Sequence, residues 1–138
     1  MKSYRANRPH KDILEDLRAE RKFYEYLHLA WSLIELRADG SILKTYCVAT
    51  PNPKSKPLLN LSINKKLEFF REIGYLSRKN YLKVVAFQKQ RNNLFHMGGL
   101  FVLTDAQKDE IMDAALIAVD IMDDLDQSIK MTVLMPMP

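Results

Sequence analysis

Four stretches of the chain place apolar residues at steps of three and four, the spacing that puts them on one face of an α-helix. These stretches run from Pro9 to Asp39, from Ser62 to Ser77, from Tyr81 to Gly99 and from Thr104 to Ile129. The pattern predicts an all-α fold, an up-and-down bundle of four main helices. A chain of 138 residues most simply forms one domain, so we expect residues 1–138 to be a single unit.

The first helix is predicted to be unusually long. Glu20 is the one polar interruption of its apolar stripe, and Gly40 is expected to end it as a left-handed cap. The stripe consists of Ile13, Leu17, Tyr24, Leu27, Trp31 and Ile34. At the two ends of the domain, residues 1–8 are basic and polar, and we expect them to be flexible. Residues 131–138 hold three methionines and two prolines, and either an extended strand on a neighbour or a disordered tail fits them.

One long loop is predicted over residues 40–61, between the first and the second helix. Pro51, Pro53 and Pro57 forbid a continuous helix in this segment. A short extended piece fits near residues 42–48. A loop of this length in a compact domain is usually functional or mobile.

The other helix boundaries carry their own signals. Ser62 is expected to cap the second helix, which Gly74 weakens by up to about 1 kcal/mol relative to alanine. Gly98-Gly99 is expected to stop the third helix. Thr104 and Gln107 have the spacing of a capping box at the start of the fourth.

Cysteine usage and hydropathy indicate where the protein acts. The single cysteine, Cys47, excludes an intramolecular disulfide and fits a reducing compartment. The N-terminal residues contain no apolar run, so we expect no signal peptide. No stretch approaches the roughly 20 apolar residues of a membrane span. We therefore expect a cytoplasmic protein that does not contact the membrane.

Positive charge is concentrated in the middle of the chain. Residues 52–91 carry ten Lys or Arg against two acids, whereas residues 103–130 carry eight acids against two lysines. A basic surface of this kind attracts polyanions, and the alternative is an ordinary solvated face. The candidates for contact with a polyanion are Arg78, Lys79, Lys83 and Lys89.

The last turns of the third helix present Arg91, Asn92 and His96. An arginine holds a phosphate with a planar fork of donors, and histidine is the side chain best suited to moving protons near neutral pH. Asn92 and His96 are four residues apart and share a helix face, with Arg91 displaced to the side. The combination favours a site directed at a phosphate.

Arginine and histidine at this spacing allow two other interpretations. Arg5 and His10 have the same separation, but they lie across a proline with no apolar helix before them, and we discard that pair. For Arg91 and His96 the alternative is structural, since a cation in the last turn of a helix interacts favourably with the helix dipole by about 0.3–1 kcal/mol. His28 in the first helix is interpreted as a packed or surface histidine.

The run RNNLFH from Arg91 to His96, near the end of the third helix, resembles the signature of the HEPN superfamily. That signature is an arginine, usually followed by a polar residue and often by asparagine, with a histidine four to six positions on. The resemblance implies a HEPN-like fold over residues 10–130. Catalytic members are expected to be metal-independent endoribonucleases in which a two-fold dimer joins two motifs into one composite cleft. Many members are toxins or defence effectors, and others are inactive binding modules.

By this resemblance, RNA is cleaved when its 2′-hydroxyl attacks the adjacent phosphate. Arg91 would clamp the phosphate, Asn92 would bond a phosphate oxygen or orient the imidazole, and two copies of His96 would act as base and acid. The implied partners are RNA, a second copy of the chain and an antitoxin or regulatory protein; no metal and no cofactor is expected. The RNA-contacting cations would be Arg78, Lys79, Lys83 and Lys89.

The chain also departs from the family pattern. Toxins silenced by a nucleotidyltransferase antitoxin carry an AMP-accepting tyrosine two residues after the histidine, and Gly98 stands there, so that control is not expected. Glu35 is a candidate for the acidic residue that members use on an early helix. Two rival functions stay open: a non-catalytic HEPN-like module that binds a nucleotide or a protein, and a DNA-reading pair formed by the second and third helices.

Overall fold

A computed structural model of the protein describes residues 9–46, 52–97 and 102–134, and every regular element in these ranges is an α-helix. The helices are α1 (His10–Ala19), α2 (Phe23–Thr45), α3 (Lys56–Leu59), α4 (Ile63–Glu72), α5 (Arg78–Met97) and α6 (Asp105–Leu134). The all-α prediction is confirmed, but the expected four main helices become five, with α3 as an added single turn. None of these helices is both long and apolar enough to cross a membrane.

The two longest helices, α2 and α6, form the centre of the fold. They pack more extensively on each other than any other pair, while α1 packs on α2 and α5 packs on α6. The side chains buried most completely include Leu14, Tyr26, Leu27, Ile34, Leu67, Phe70, Phe87, Met112 and Met122. Because they come from five helices, they form one continuous core, and each contributes about 1.5–3 kcal/mol through burial.

The predicted first helix is two helices, α1 and α2. The backbone N–H of Lys22 donates to the carbonyl of Leu17 at 2.8 Å, and the N–H of Arg21 donates to the carbonyl of Arg18 at 3.0 Å, three residues back instead of the four of a continuing helix. These are the bonds of a Schellman motif, and Arg21 takes its left-handed position with φ 58°. The break lies beside Glu20, the polar interruption of the apolar stripe. No glycine marks the break, and the pattern of apolar residues continues across the turn. The sequence therefore gives no clear sign that the helix ends here.

The cap predicted at Gly40 is wrong, because α2 continues through Gly40 to Thr45. Ala38 and Ile42, on either side of the glycine, are completely buried. Their burial offsets the cost of about 1 kcal/mol that a glycine imposes on a helix interior. The extended piece predicted near residues 42–48 is likewise wrong for 42–45, which are helical, and residues 47–48 lie outside the described residues.

The predicted loop over residues 40–61 is therefore shorter than expected. Its start belongs to α2, and α3 occupies four residues near its end, with Pro57 in the first turn, where the missing N–H costs nothing. Before α3, the side-chain oxygen of Asn52 accepts two backbone N–H bonds, at 2.9 and 3.0 Å, and so forms a tight turn. Residues 47–51 lie outside the described residues.

The two ends of α4 show one confirmed and one corrected prediction. The Ser62 hydroxyl oxygen accepts the backbone N–H of Lys65 at 3.4 Å and caps the helix as predicted. The helix ends at Glu72 instead of Ser77, because Gly74 adopts φ 86° and closes a Schellman motif. The glycine terminates α4 and does not bend it.

The fourth predicted helix, α6, begins and packs as expected. The Thr104 hydroxyl oxygen accepts the N–H of Gln107 at 3.1 Å, and the Gln107 side chain accepts the N–H of Thr104 at 2.9 Å. At its far end the helix continues over residues 131–134, which excludes an extended strand there. Gly98-Gly99 and residues 135–138 lie outside the described residues.

Candidate functional site

The candidate site lies between α2 and the C-terminal half of α5. Tyr24 contacts Phe95 edge to face, with ring centroids 5.9 Å apart, and Trp31 contacts Phe87 at 6.4 Å. Residue numbers rise along α2 while they fall along α5, so the two helices are antiparallel. We define the α2–α5 groove by Tyr24, His28, Trp31 and Glu35 of α2 and by Gln88, Arg91, Asn92, Phe95 and His96 of α5.

The short helix α4 lies at the other end of the contact between α2 and α5, next to the start of α5. The Arg71 guanidinium lies 5.4 Å from the centre of the Tyr81 ring, so the end of α4 packs on the start of α5. Because α4 has ten residues and α5 has twenty, α4 covers about half of α5. The other half of α5 is left open beside α2, and Phe95, His96 and Tyr24 are exposed there.

Arg91 is held between two aromatic rings. Its guanidinium carbon lies 5.0 Å from the centre of the Trp31 ring and 4.7 Å from that of the Phe95 ring. Its Nη1 donates to the side-chain oxygen of Asn92 at 3.3 Å. Two cation–π contacts and one hydrogen bond therefore set the plane of the guanidinium.

The charge of Arg91 has no direct counter-charge. Burial lowers the pKa of Arg91, and Glu35 on α2 acts in the opposite direction from a distance. Among the described residues, no carboxylate lies within ion-pair distance of its guanidinium. The other half-buried arginines among the described residues, Arg18 and Arg37, each have an aspartate oxygen at 2.7 Å. Arg91 is therefore a partly desolvated cation placed where an anion is accessible to it.

A second unpaired group lies three residues before Arg91. Gln88 is only 7% exposed, and its Oε1 has no hydrogen-bond partner among the described residues; the same holds for Nε of Arg91. A buried polar group without a partner costs about 1–3 kcal/mol. Buried polar groups without a partner are found most often at functional sites, where a polar ligand can bind them.

Asn92 and His96 extend the site toward solvent. Asn92 is half-buried, and its amide nitrogen stays free to donate while its oxygen accepts from Arg91. His96 is exposed one turn further on, with no hydrogen bond given by any described residue. The structure thus joins Arg91 and Asn92 directly and leaves the His96 imidazole accessible.

The four cations predicted to contact RNA are all exposed, but they lie on two different faces of α5. Lys89 is seven residues from His96 and Arg78 is eleven residues from Lys89, which places these three on one face. Lys79 and Lys83 are four residues apart on another face. Lys83 lines a shallow groove against α6 with Ala86, Gln90, Ala114 and Ile117. The structure therefore places Lys89 beside the predicted site and Arg78 on the same face, about 20 Å from Arg91 along the helix, whereas Lys79 and Lys83 lie on another face.

The α2 side of the groove was largely missed from the sequence. Tyr24, His28, Trp31 and Glu35 follow one another at steps of four, three and four residues, the spacing of one helical face. Trp31 is buried, as expected, but its ring also supports Arg91. Glu35, the candidate acidic residue, does act electrostatically on Arg91. His28, interpreted as a packed or surface histidine, is exposed on the same stripe.

Comparison of the chain with family models, with curated proteins and with solved structures finds no match. Within the described ranges, no three His, Cys, Asp or Glu side chains come close enough together to hold a metal ion. The assignment of a function therefore depends on the Arg91–His96 motif and on the geometry of the α2–α5 groove.

Proposed function

We propose that the protein is a HEPN-like endoribonuclease whose active site is the α2–α5 groove. The observation that carries the proposal is that the half-buried Arg91 has no carboxylate partner among the described residues, whereas the half-buried Arg18 and Arg37 are each paired with an aspartate. A phosphodiester bound at Arg91 supplies the missing negative charge in a partly desolvated place, where such a contact is strong. The motif resemblance and this electrostatic imbalance point to the same residue.

The reaction follows from the groups in the groove. The 2′-hydroxyl of a nucleotide attacks its own 3′-phosphorus, and the bond from phosphorus to the 5′-oxygen breaks. A base takes the proton of the 2′-hydroxyl and an acid gives one to the 5′-oxygen, so the products are a 2′,3′-cyclic phosphate and a 5′-hydroxyl. Arg91 stabilises the charge that builds on the phosphorane, and the free amide nitrogen of Asn92 donates to a phosphate oxygen. His96 supplies one of the two proton-transfer groups.

Single-stranded RNA is the substrate that the surface fits best. Tyr24 and Phe95 form an aromatic pair at the open end of the groove, and each is 43% exposed. Unpaired bases can stack on exposed rings of this kind, whereas bases inside a duplex cannot. Lys89 adds positive charge next to the site and Arg78 extends that charge along the same face of α5, where both attract the phosphate backbone.

By the family resemblance, the second proton-transfer group comes from a two-fold related copy of the chain. One His96 then acts as base and the other as acid. A two-fold dimer is thus one source of the second group, and an antitoxin or regulatory protein is the proposed partner that restrains the activity. The composite site requires a homodimer. A monomer mass at micromolar concentration in light scattering would contradict it.

A non-catalytic module that binds a nucleotide is the second candidate. It is favoured by one observation: no described residue holds the His96 imidazole in a fixed orientation, whereas Arg91 and Asn92 are bonded to each other. Both functions use Arg91 for a phosphate. Only the ribonuclease needs His96 for turnover.

The deciding experiment is RNA cleavage in EDTA by the protein and by its Arg91→Ala and His96→Ala variants, with the 3′ ends of the products identified. We expect cleavage that survives EDTA, leaves a 2′,3′-cyclic phosphate and falls by about 10²–10⁴-fold in both variants. His10→Ala is the control, because His10 is exposed at the start of α1, away from the groove. A folded protein that binds nucleotides but cleaves no RNA in a broad panel would favour the binding module.

A further inference from the structure

Ring contacts between α2 and α5 fix how the two helices lie against each other in the groove. Tyr24 is opposite Phe95, and Trp31 lies against both Phe87 and the Arg91 guanidinium. Both helices rise 1.5 Å per residue, so His28 falls level with the Arg91 and Asn92 part of α5. Along the groove, His28 is then about 7 Å from the level of His96.

His28 and His96 also open to the same side of the helix pair. At 100° per residue, Tyr24, His28, Trp31 and Glu35 fall within about 60° of the circumference of α2. Asn92 and His96 fall within about 40° on α5. The opposite side of this contact is the core, where Leu27 of α2 and Val84 of α5 are completely buried. His28 is turned by about 100° from Leu27 around α2 and His96 by about 120° from Val84 around α5, and both are exposed, which places both on the solvent side of the groove.

We infer that His28 is the second proton-transfer group of the groove, so that one chain carries both the acid and the base. This inference rests on the proposed ribonuclease function. A phosphate held by Arg91 and Asn92 lies level with His28, with His96 one turn further along α5. One imidazole is neutral and takes the proton of the 2′-hydroxyl, while the other is protonated and gives its proton to the departing 5′-oxygen. The two then exchange their protonation states through solvent before the next turnover, so no metal or co-reactant enters the balance.

The inference changes what a second copy of the chain is needed for. In the composite arrangement, a lone chain lacks either the acid or the base, and His28 takes no part. With His28 in the groove, each chain has a complete set, and a dimer contributes at most binding surface. The two arrangements therefore predict opposite behaviour for a single substitution outside the Arg91–His96 motif.

That substitution is His28→Ala, compared with His96→Ala and with the control His10→Ala on the same single-stranded RNA. We expect His28→Ala to lose about 10²–10⁴-fold in cleavage rate, as His96→Ala does, and His10→Ala to match the unmodified protein. All three histidines are exposed, so none of the changes removes a core side chain. Binding of an RNA with a 2′-deoxy cleavage site, measured by fluorescence anisotropy, should stay within a few-fold of the unmodified protein.

A second substrate separates a proton-transfer role from a structural one. In an RNA whose scissile 5′-oxygen is replaced by sulfur, the thiolate leaves without being protonated, so an acid is no longer needed. Whichever of His28 and His96 is the acid, its alanine variant should recover most of the lost rate on this substrate. The variant that lacks the base should not recover.

Each other outcome overturns the inference in a recognisable way. Full activity of His28→Ala with loss in His96→Ala would remove His28 and leave the proposed ribonuclease standing with a composite site. Loss in both variants without recovery of either on the sulfur substrate would assign His28 a structural or binding role. Restored cleavage on mixing the two inactive variants would place the pair on different chains. An unmodified protein that cleaves no RNA would overturn the proposed function together with the inference.

Discussion

Charged side chains are arranged in opposite ways on the two sides of α2. On one side, cations of α1 and α2 meet aspartates of α6 in what we call the acidic seam. Its pairs are Lys11–Asp120, Arg18–Asp113, Arg21–Asp109, Arg37–Asp123 and Lys44–Asp126. On the other side, the α2–α5 groove holds a half-buried arginine with no carboxylate in contact. The acids of α6 are thus used within the fold, and the excess positive charge belongs to α4 and α5.

Two arginines show what this difference means for function. The hydrogen bond that Arg18 donates to Asp113 raises the pKa of Arg18, whereas burial lowers the pKa of Arg91. The folded protein therefore favours the charge of Arg18 and disfavours that of Arg91. A charge that the fold does not stabilise is one that a bound anion can stabilise, so the seam serves folding and the groove serves binding.

The largest expected effect comes from replacing Arg91 by methionine. Cleavage should fall by at least about 10²-fold, because the phosphorane loses its cation. Unfolding in urea should show a loss of stability no greater than about 1 kcal/mol, because a flexible apolar chain between Trp31 and Phe95 replaces an unpaired, desolvated charge. Arg91→Lys keeps the charge without the planar fork, and it should also cleave poorly.

The Arg91→Met result can also go against the groove as an anion site. A loss of several kcal/mol on replacement would mean that the two cation–π contacts with Trp31 and Phe95 make Arg91 a structural residue. Arg91 would then belong with the paired arginines of the seam, and the contrast between the two sides of α2 would disappear.

The matched change on the other side is Arg37→Met. Its partner Asp123 has a side chain only 19% exposed, and the two atoms of the pair lie 2.7 Å apart. Removing one partner of a fully buried pair costs about 3–5 kcal/mol and of an exposed pair about 0–1, so this intermediate pair should cost about 1–2 kcal/mol. RNA cleavage should be unchanged.

Urea denaturation of Arg37→Met, Asp123→Asn and the double variant measures the coupling directly. If Arg37→Met reduced cleavage as strongly as Arg91→Met while the protein stayed folded, the seam would have a role in RNA binding. The division between a folding side and a binding side would then be wrong.

The sequence predicted some parts of this arrangement correctly and others not. The difference depends on whether local interactions or tertiary packing determine each part. The apolar stripe of α6 has regular steps of four and three residues, and all its members are buried: Ile111, Ala115, Ala118, Met122, Leu125 and Ile129. Caps that rest on local hydrogen bonds, at Ser62 and at Thr104, were also predicted correctly. In these places short-range chemistry and tertiary packing favour the same structure.

Predictions failed where tertiary packing or an unusual residue decided the outcome. Gly40 stays helical because its neighbours are buried in the core, and the chain turns at Arg21, a residue type that seldom adopts a positive φ. In the site, the sequence placed Arg91, Asn92 and His96 on one helix, but it could not show which face of α2 packs there. His28 could therefore be interpreted from the sequence only as a packed or surface histidine, and the ring contacts between α2 and α5 are needed to place it in the groove.

The smallest expected effect concerns Arg21, which lies at one end of the acidic seam. Arg21 closes the turn between α1 and α2 with φ 58° and contacts Asp105 and Asp109, and all three side chains are largely exposed. Arg21→Gly removes the strain of the left-handed backbone and also removes exposed ion pairs that contribute little. We expect an unchanged or slightly higher midpoint of urea denaturation.

Gly74→Ala is the matched control for that change, since Gly74 fills the same position after α4 with φ 86° and an added Cβ meets no atom within 4 Å. Only backbone strain distinguishes the alanine from the glycine, so this variant should lose about 1 kcal/mol. If Arg21→Gly lost as much stability as Gly74→Ala, the exposed pairs with α6 would outweigh the strain at Arg21. The seam would then derive stability from its network of charges as well as from the half-buried Arg37–Asp123 pair, which would widen its contrast with the unpaired groove.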